Sequence, residues 1–160
     1  MKRTLTAALT ATTLLMTTAA VADEDVQKVQ VAVDTAAIEN LKGAVVWKNV
    51  ALDLNAAIVE RLGDQLDQDG ARVMIDIDTV ALANSLEEAL NIADAKLAGD
   101  VNIFVPGMQN DEVYSLSVSA EQASAFYPEG TDSELVTVSS EVFYRAMIDG
   151  FADNVASRLN

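Results

Sequence analysis

Three stretches of this chain alternate apolar and polar residues with a period of two, and that pattern limits the possible folds more than any other feature. In residues 71–82, Val73, Ile75 and Ile77 fall on one side, and Met74, Asp76 and Asp78 on the other. Residues 100–105 set Val101, Ile103 and Val105 against Asn102 and Phe104. Residues 112–121 set Tyr114, Leu116, Val118 and Ala120 against Ser115, Ser117 and Ser119. Strands patterned this way build a sheet with one covered face and one wet face. Residues 28–35, with Val29, Val31 and Val33 in alternation, read as a further strand rich in β-branched residues.

The cover comes from two segments of helical period. Trp47, Val50, Leu54, Ile58, Leu62 and Leu66 recur at steps of three and four, and Asp67-Gln68-Asp69-Gly70 is the expected end, with Gly70 as a left-handed cap. Phe143, Met147, Phe151, Val155 and Leu159 form a second stripe, capped by Ser139 or Ser140. Ser85-Leu86-Glu87-Glu88 opens a short helix that Gly99 is expected to break, and residues 135–138 read as extended. The expected fold is α+β. It is a two-layer sandwich of order β-α-β-(α)-β-β-α, with a mostly antiparallel sheet and two long helices on one face. The first βαβ unit should be a crossover, and the last two strands a hairpin.

The amino-terminal residues read as an address. Met1-Lys2-Arg3 is a basic start, residues 5–16 are apolar, and Ala20-Val21-Ala22 places small residues before Asp23-Glu24-Asp25. That is the pattern of a signal peptide spanning residues 1–22 and cleaved after Ala22, too short for a membrane span. Residues 23–160 then form a single domain, expected in the periplasm or outside the cell, with no membrane insertion once the signal is gone. The absence of cysteine suits an oxidising compartment.

Several chemistries are closed to this chain. With no cysteine and no histidine, it has no disulfide, no thiolate nucleophile, no Ser-His-Asp triad and no Cys/His zinc site. The glycines are scattered singly, with no phosphate-binding loop, and nothing calls for a cofactor. The net charge is −15, and it becomes more negative once Lys2 and Arg3 leave with the signal. That field repels phosphate backbones and anionic lipid, so nucleic acid is not an expected partner. Between Leu97 and Tyr144 no lysine or arginine occurs, while eight acids do.

The segments Phe126-Tyr127-Pro128-Glu129-Gly130-Thr131-Asp132 and Phe151-Ala152-Asp153 resemble those of uncharacterised secreted or periplasmic proteins of marine bacteria. The element order over residues 28–160 also resembles the small α/β domains of envelope-assembly lipoproteins, such as accessory lipoproteins of lipopolysaccharide transport and curli secretion. The lipidated cysteine of those proteins is absent here. The resemblance implies an envelope setting and assigns no site residue.

Candidate sites follow from the wet face. Asp76 and Asp78 lie on it about 7 Å apart at strand rise, a spacing that could hold a hard cation or divide acid and base roles. A concave site over both would favour that reading. Met74 and Phe104 are apolar residues on the same polar side, and with Ser117 they are candidates for a protein contact. Phe126 and Tyr127 precede Pro128, and either pin the bend under the last helix or form an exposed aromatic lip. Asp67-Gln68-Asp69-Gly70 resembles the middle of a calcium loop, but such a loop would have Gln65 where Asp is needed and Asp76 where a bidentate Glu is needed, and a strand follows instead of a helix, so it is better read as a helix end with solvated carboxylates. The expected function is a soluble, non-catalytic binding or accessory module that contacts another envelope protein. The alternative is a carboxylate-based cation-binding protein or hydrolase.

Overall fold

The computed structural model describes residues 25–33, 47–81, 95–107 and 111–159. The expected signal peptide and the expected short helix at residues 85–98 fall largely outside these. The strands are β1 (Val26–Val33), β2 (Ala71–Ala81), β3 (Lys96–Phe104) and β4 (Glu112–Ser119). The helices are α1 (Val50–Leu62), a single turn α2 (Ala120–Ala123), and α3 (Glu141–Leu159).

The four strands form one sheet in the order β1-β2-β3-β4. β1 and β2 are parallel, while β2–β3 and β3–β4 are antiparallel. The fold is the α+β sandwich that the alternation predicts. β2 is buried and exposed by turns over its first eight residues, with Val73, Ile75 and Ile77 inward. α1 packs on β1 and on α3, and α3 packs over β4 and β3. Trp47, Leu54, Ile58, Met147 and Phe151 are fully enclosed between the layers. Each such side chain contributes about 2 kcal/mol of apolar burial before chain entropy is counted.

α3 starts where the sequence places it. The Ser140 hydroxyl accepts the Phe143 N–H at 3.2 Å, satisfying a free amide of the first turn. The helix buries more than its stripe, because Tyr144, Ile148 and Ala152 are buried as well. The Trp47 and Tyr144 rings meet edge to face, with centroids 5.0 Å apart. Asn55 ties α1 to β1 by donating from Nδ2 to the Val29 carbonyl at 2.7 Å. Arg61 ties α1 to α3 through Asp149 at 2.8 Å.

Three local expectations are corrected. α1 ends at Leu62 and not at residues 67–70. Gly63 takes the positive φ of +47°, and Leu66 then runs extended to form a bridge with Val26. Gly70 has a different task, because a Cβ there would sit 2.4 Å from the Asp25 carbonyl oxygen. Gly99 breaks no helix, since it lies inside β3, which begins at Lys96. A Cβ on it would meet the Asp76 carbonyl oxygen at 2.4 Å, so only glycine lets β3 close against β2 beside the irregularity between Ile77 and Thr79. Leu135 is not extended either. It lies in a tight turn, Ser133–Leu135, opened by the Asp132 side chain accepting the Glu134 N–H.

Gly99→Ala should therefore cost about 1–3 kcal/mol of unfolding free energy, because backbone and not a movable side chain must give way. Urea denaturation measures it. An unchanged midpoint would mean that β2 and β3 have slack at this point.

Candidate functional site

The sheet register sorts the open face into rows. Lys28, Arg72 and Phe104 lie side by side across β1, β2 and β3. The next row is Gln30, Met74, Asn102 and Val113, and the one after it is Ala32, Asp76, Asp100 and Ser115. Travelling along the strands, the face thus passes from cationic, through apolar and amide, to acidic. Among the described residues, Met74 is 48% exposed and Val113 62%, although both are large and apolar. A shallow depression of about 470 Å³ lies over the last two rows, lined by Met74, Asp76, Asp100, Asn102 and Val113 among others.

Two interactions shape the rows. The Arg72 guanidinium lies over the Phe104 ring, 5.0 Å from its centroid, which half-covers the ring and holds the cation on the surface. Arg72 makes no ion pair among the described residues; the arginines that do are Arg61, Arg145 and Arg158. Asp76 and Asp100 stand directly opposite each other in the β2–β3 ladder. Among the described residues, the one partner of either is the Ser115 hydroxyl, which donates to Asp100 at 2.6 Å. Like charges placed this way on neighbouring strands work against the sheet.

The candidates read from the sequence separate into two groups. Met74, Asp76, Asp78, Phe104 and Ser117 all lie on the open face. Of these, Met74 and Asp76 line the depression and Asp78 does not. Asp78 falls at the ladder irregularity and accepts from the Thr79 hydroxyl at 2.8 Å. Ser117 is exposed on β4, opposite Ala98. Phe126 and Tyr127 belong to the other side of the sheet, half-buried against the core. The Phe126 ring lies so close to Gly150 that a Cβ there would be 3.3 Å away, and burial pushes the Tyr127 phenol pKa up. Asp100, Arg72 and Val113 complete the face and were not singled out from the sequence. Their alternation was visible, but the register that aligns them was not.

Asp67 and Asp69 do not form a calcium loop. The Asp67 carboxylate instead accepts the Asp69 N–H at 2.8 Å, which closes a tight turn. Among the described residues, no group of three or more carboxylates converges as a metal site would require.

A second hollow, of about 460 Å³, runs between α1 and α3 and is lined by Asp53, Glu60, Glu141, Tyr144 and Arg145 among others. Its polar groups are largely engaged with one another. The Tyr144 hydroxyl donates to Asp53 at 2.5 Å, and Arg145 pairs with Glu141 at 2.7 Å. Burial, followed by the Asp53 hydrogen bond, raises the Tyr144 pKa far above that of a free phenol, so this hydroxyl is a fixed donor and not a base. The hollow reads as the seam that locks the two helices.

No family model matches this chain, and no curated protein sequence matches it. A solved structure described as an uncharacterized protein is similar at 12% identity, covering 84% of this chain and 86% of that one with a TM-score of 0.38. A likeness of that size carries no argument.

Asp76→Asn should stabilise the fold by about 0.2–1 kcal/mol, because it removes one of two opposed carboxylates. Thermal or urea unfolding checks the sign. A loss of stability would mean that Asp76 holds a favourable partner.

Proposed function

We propose that this protein is a non-catalytic binding or accessory module of the cell envelope, and that the open sheet face is its contact surface. The observation that carries the reading is the exposure of Met74 and Val113 in one row of a face flanked by opposite charges, whereas α1 and α3 turn their apolar stripes to the core and expose, among their large apolar residues, Leu52 singly. A face of this kind suits a protein partner better than a small substrate, being shallow and wide. The address in residues 1–22 supports an extracytoplasmic setting. No helix among the described residues is long and apolar enough to cross a membrane. The cation-binding alternative has, among the described residues, Asp76 and Asp100 side by side and exposed, fewer ligands than a hard cation gathers.

The test is site-directed photocrosslinking in the cell. A photoreactive residue at Gln30 or Ser117 should give discrete crosslinked species, and the same residue at Glu60 on the helix side should not. Phe104→Ser combined with Ser117→Arg should abolish the crosslinks from Gln30 while leaving the circular dichroism spectrum unchanged. Crosslinks confined to Glu60 would place the contact surface on the helices and overturn the reading.

A further inference from the structure

The rows of the open face are complementary to their own reversal. Rotating a second copy by 180° about an axis laid across the strands along the Gln30–Met74–Asn102–Val113 row leaves that row on the axis and exchanges the rows on either side of it. Arg72 of one copy then faces the partner's Asp76, and Asp76 faces the partner's Arg72. The Asp100 carboxylate falls beside the partner's Phe104, over which that chain's Arg72 guanidinium already lies. Met74 and Val113 meet their own copies at the centre. We infer that the occupant of the open face is a second copy of this chain, packed sheet to sheet about this two-fold axis. The inference rests on the reading of the face as a contact surface and names the partner.

Three observations support a second copy in this orientation. First, within one chain Arg72 and Asp76 are four residues apart on β2, about 13 Å at strand rise, and Arg72 lies over Phe104 instead of reaching back. Among the described residues, Arg72 and Asp76 therefore leave a cation and a carboxylate unmatched inside the monomer, at the spacing that the rotation matches. Second, the charges select the axis. A two-fold axis along the strands would lay acidic row on acidic row and cationic row on cationic row, which like-charge repulsion disfavours. Third, the size fits a weak, reversible pair. Four strands about 4.8 Å apart and three rows about 7 Å apart give a footprint of about 20 by 20 Å per copy. Two such footprints come to about 800 Å² of buried surface, below the roughly 1,200 Å² at which stable interfaces begin, so a weak, transient pair with a dissociation constant of about tens of micromolar or weaker is expected. The net charge of −15 opposes approach at long range, but repulsion beyond about 8 Å is screened at physiological ionic strength, and the Arg72–Asp76 contacts act inside that distance.

Sedimentation velocity on the purified protein tests this, run up to roughly a hundred micromolar. The wild type should dimerise reversibly. Arg72→Asp and Asp76→Arg should each weaken the dimer by at least about tenfold, since each homodimer then sets two pairs of like charges in contact. An equimolar mixture of the two variants should restore association to the wild-type level, because every contact is again between opposite charges. Net charge alone predicts otherwise, since Asp76→Arg lowers the overall repulsion and would strengthen self-association. Should Arg72→Asp fail to fold, Met74→Asp replaces it and should abolish the dimer by opposing two carboxylates on the axis. A monomeric wild type overturns this inference while leaving the crosslinking test of the contact surface untouched. A dimer indifferent to the substitutions, or a mixture that does not recover, overturns it by placing the interface elsewhere.

Discussion

The alternation that carries Val73, Ile75 and Ile77 under the helices forces Arg72, Met74 and Asp76 onto the opposite side of the same strand. This coupling governs the rest of the molecule. The inner face supplies the apolar surface that α1 and α3 bury, and with no disulfide available that core must carry the stability. The outer face is fixed in its spacing by the strand that seals the core. Its rows cannot drift without dragging core residues into water. A loosely ordered loop would hold Arg72, Met74 and Asp76 near one another; the sheet holds them in order and at fixed intervals.

Electrostatics divides between the two sides in a related way. On the helix side the charges are satisfied within the chain: Arg61 bridges to Asp149, Arg145 to Glu141, and the Tyr144 hydroxyl to Asp53. The Arg61 and Tyr144 contacts fasten α1 and α3 to each other, while the Arg145–Glu141 pair lies within α3, and exposed ion pairs add little stability one by one. At one edge of the sheet, Arg158 of α3 reaches Glu112 at 2.7 Å and lies over the Tyr114 ring. The open face is where pairing stops. Asp76 opposes Asp100, and Arg72 lies on an aromatic ring. A rule of sheet construction broken in the middle of a well-packed sheet marks a surface shaped by something other than folding.

The strands and the long helices were legible because each repeats one period over six or more residues. Even so, the end of α1 was not. Asp67-Gln68-Asp69-Gly70 carries a stronger turn signal than Gly63, but the bridge from Leu66 to Val26 stops the helix earlier. Gly99 resembled a helix breaker because its sequence neighbours are helix formers; its reason is the Asp76 carbonyl, a residue distant in sequence. The turn α2 carries a signal in the sequence. Ser119 and Gln122 form a reciprocal capping box, Ser-x-x-Gln, at the end of β4. Of the site, the sequence marked Met74, Asp76 and Phe104 as outward. It could not show that Asp100 stands opposite Asp76 or that Val113 joins the Met74 row, because register is a property of paired strands. The role of Phe126, open between two readings in the sequence, is clear only once Gly150 of α3 is seen against its ring.

A paired unfolding experiment on adjacent β2 residues tests the one-sided sheet most directly. Met74 and Ile75 are neighbours with large apolar side chains, one outward and one inward. In dilute solution, where the chain is monomeric, Ile75→Ala should lower the unfolding free energy by about 2–5 kcal/mol. Met74→Ala should change it by less than about 0.5 kcal/mol, as exposed substitutions do. Equal losses for the two would show that the outer face is buried within the chain itself, and would contradict the account.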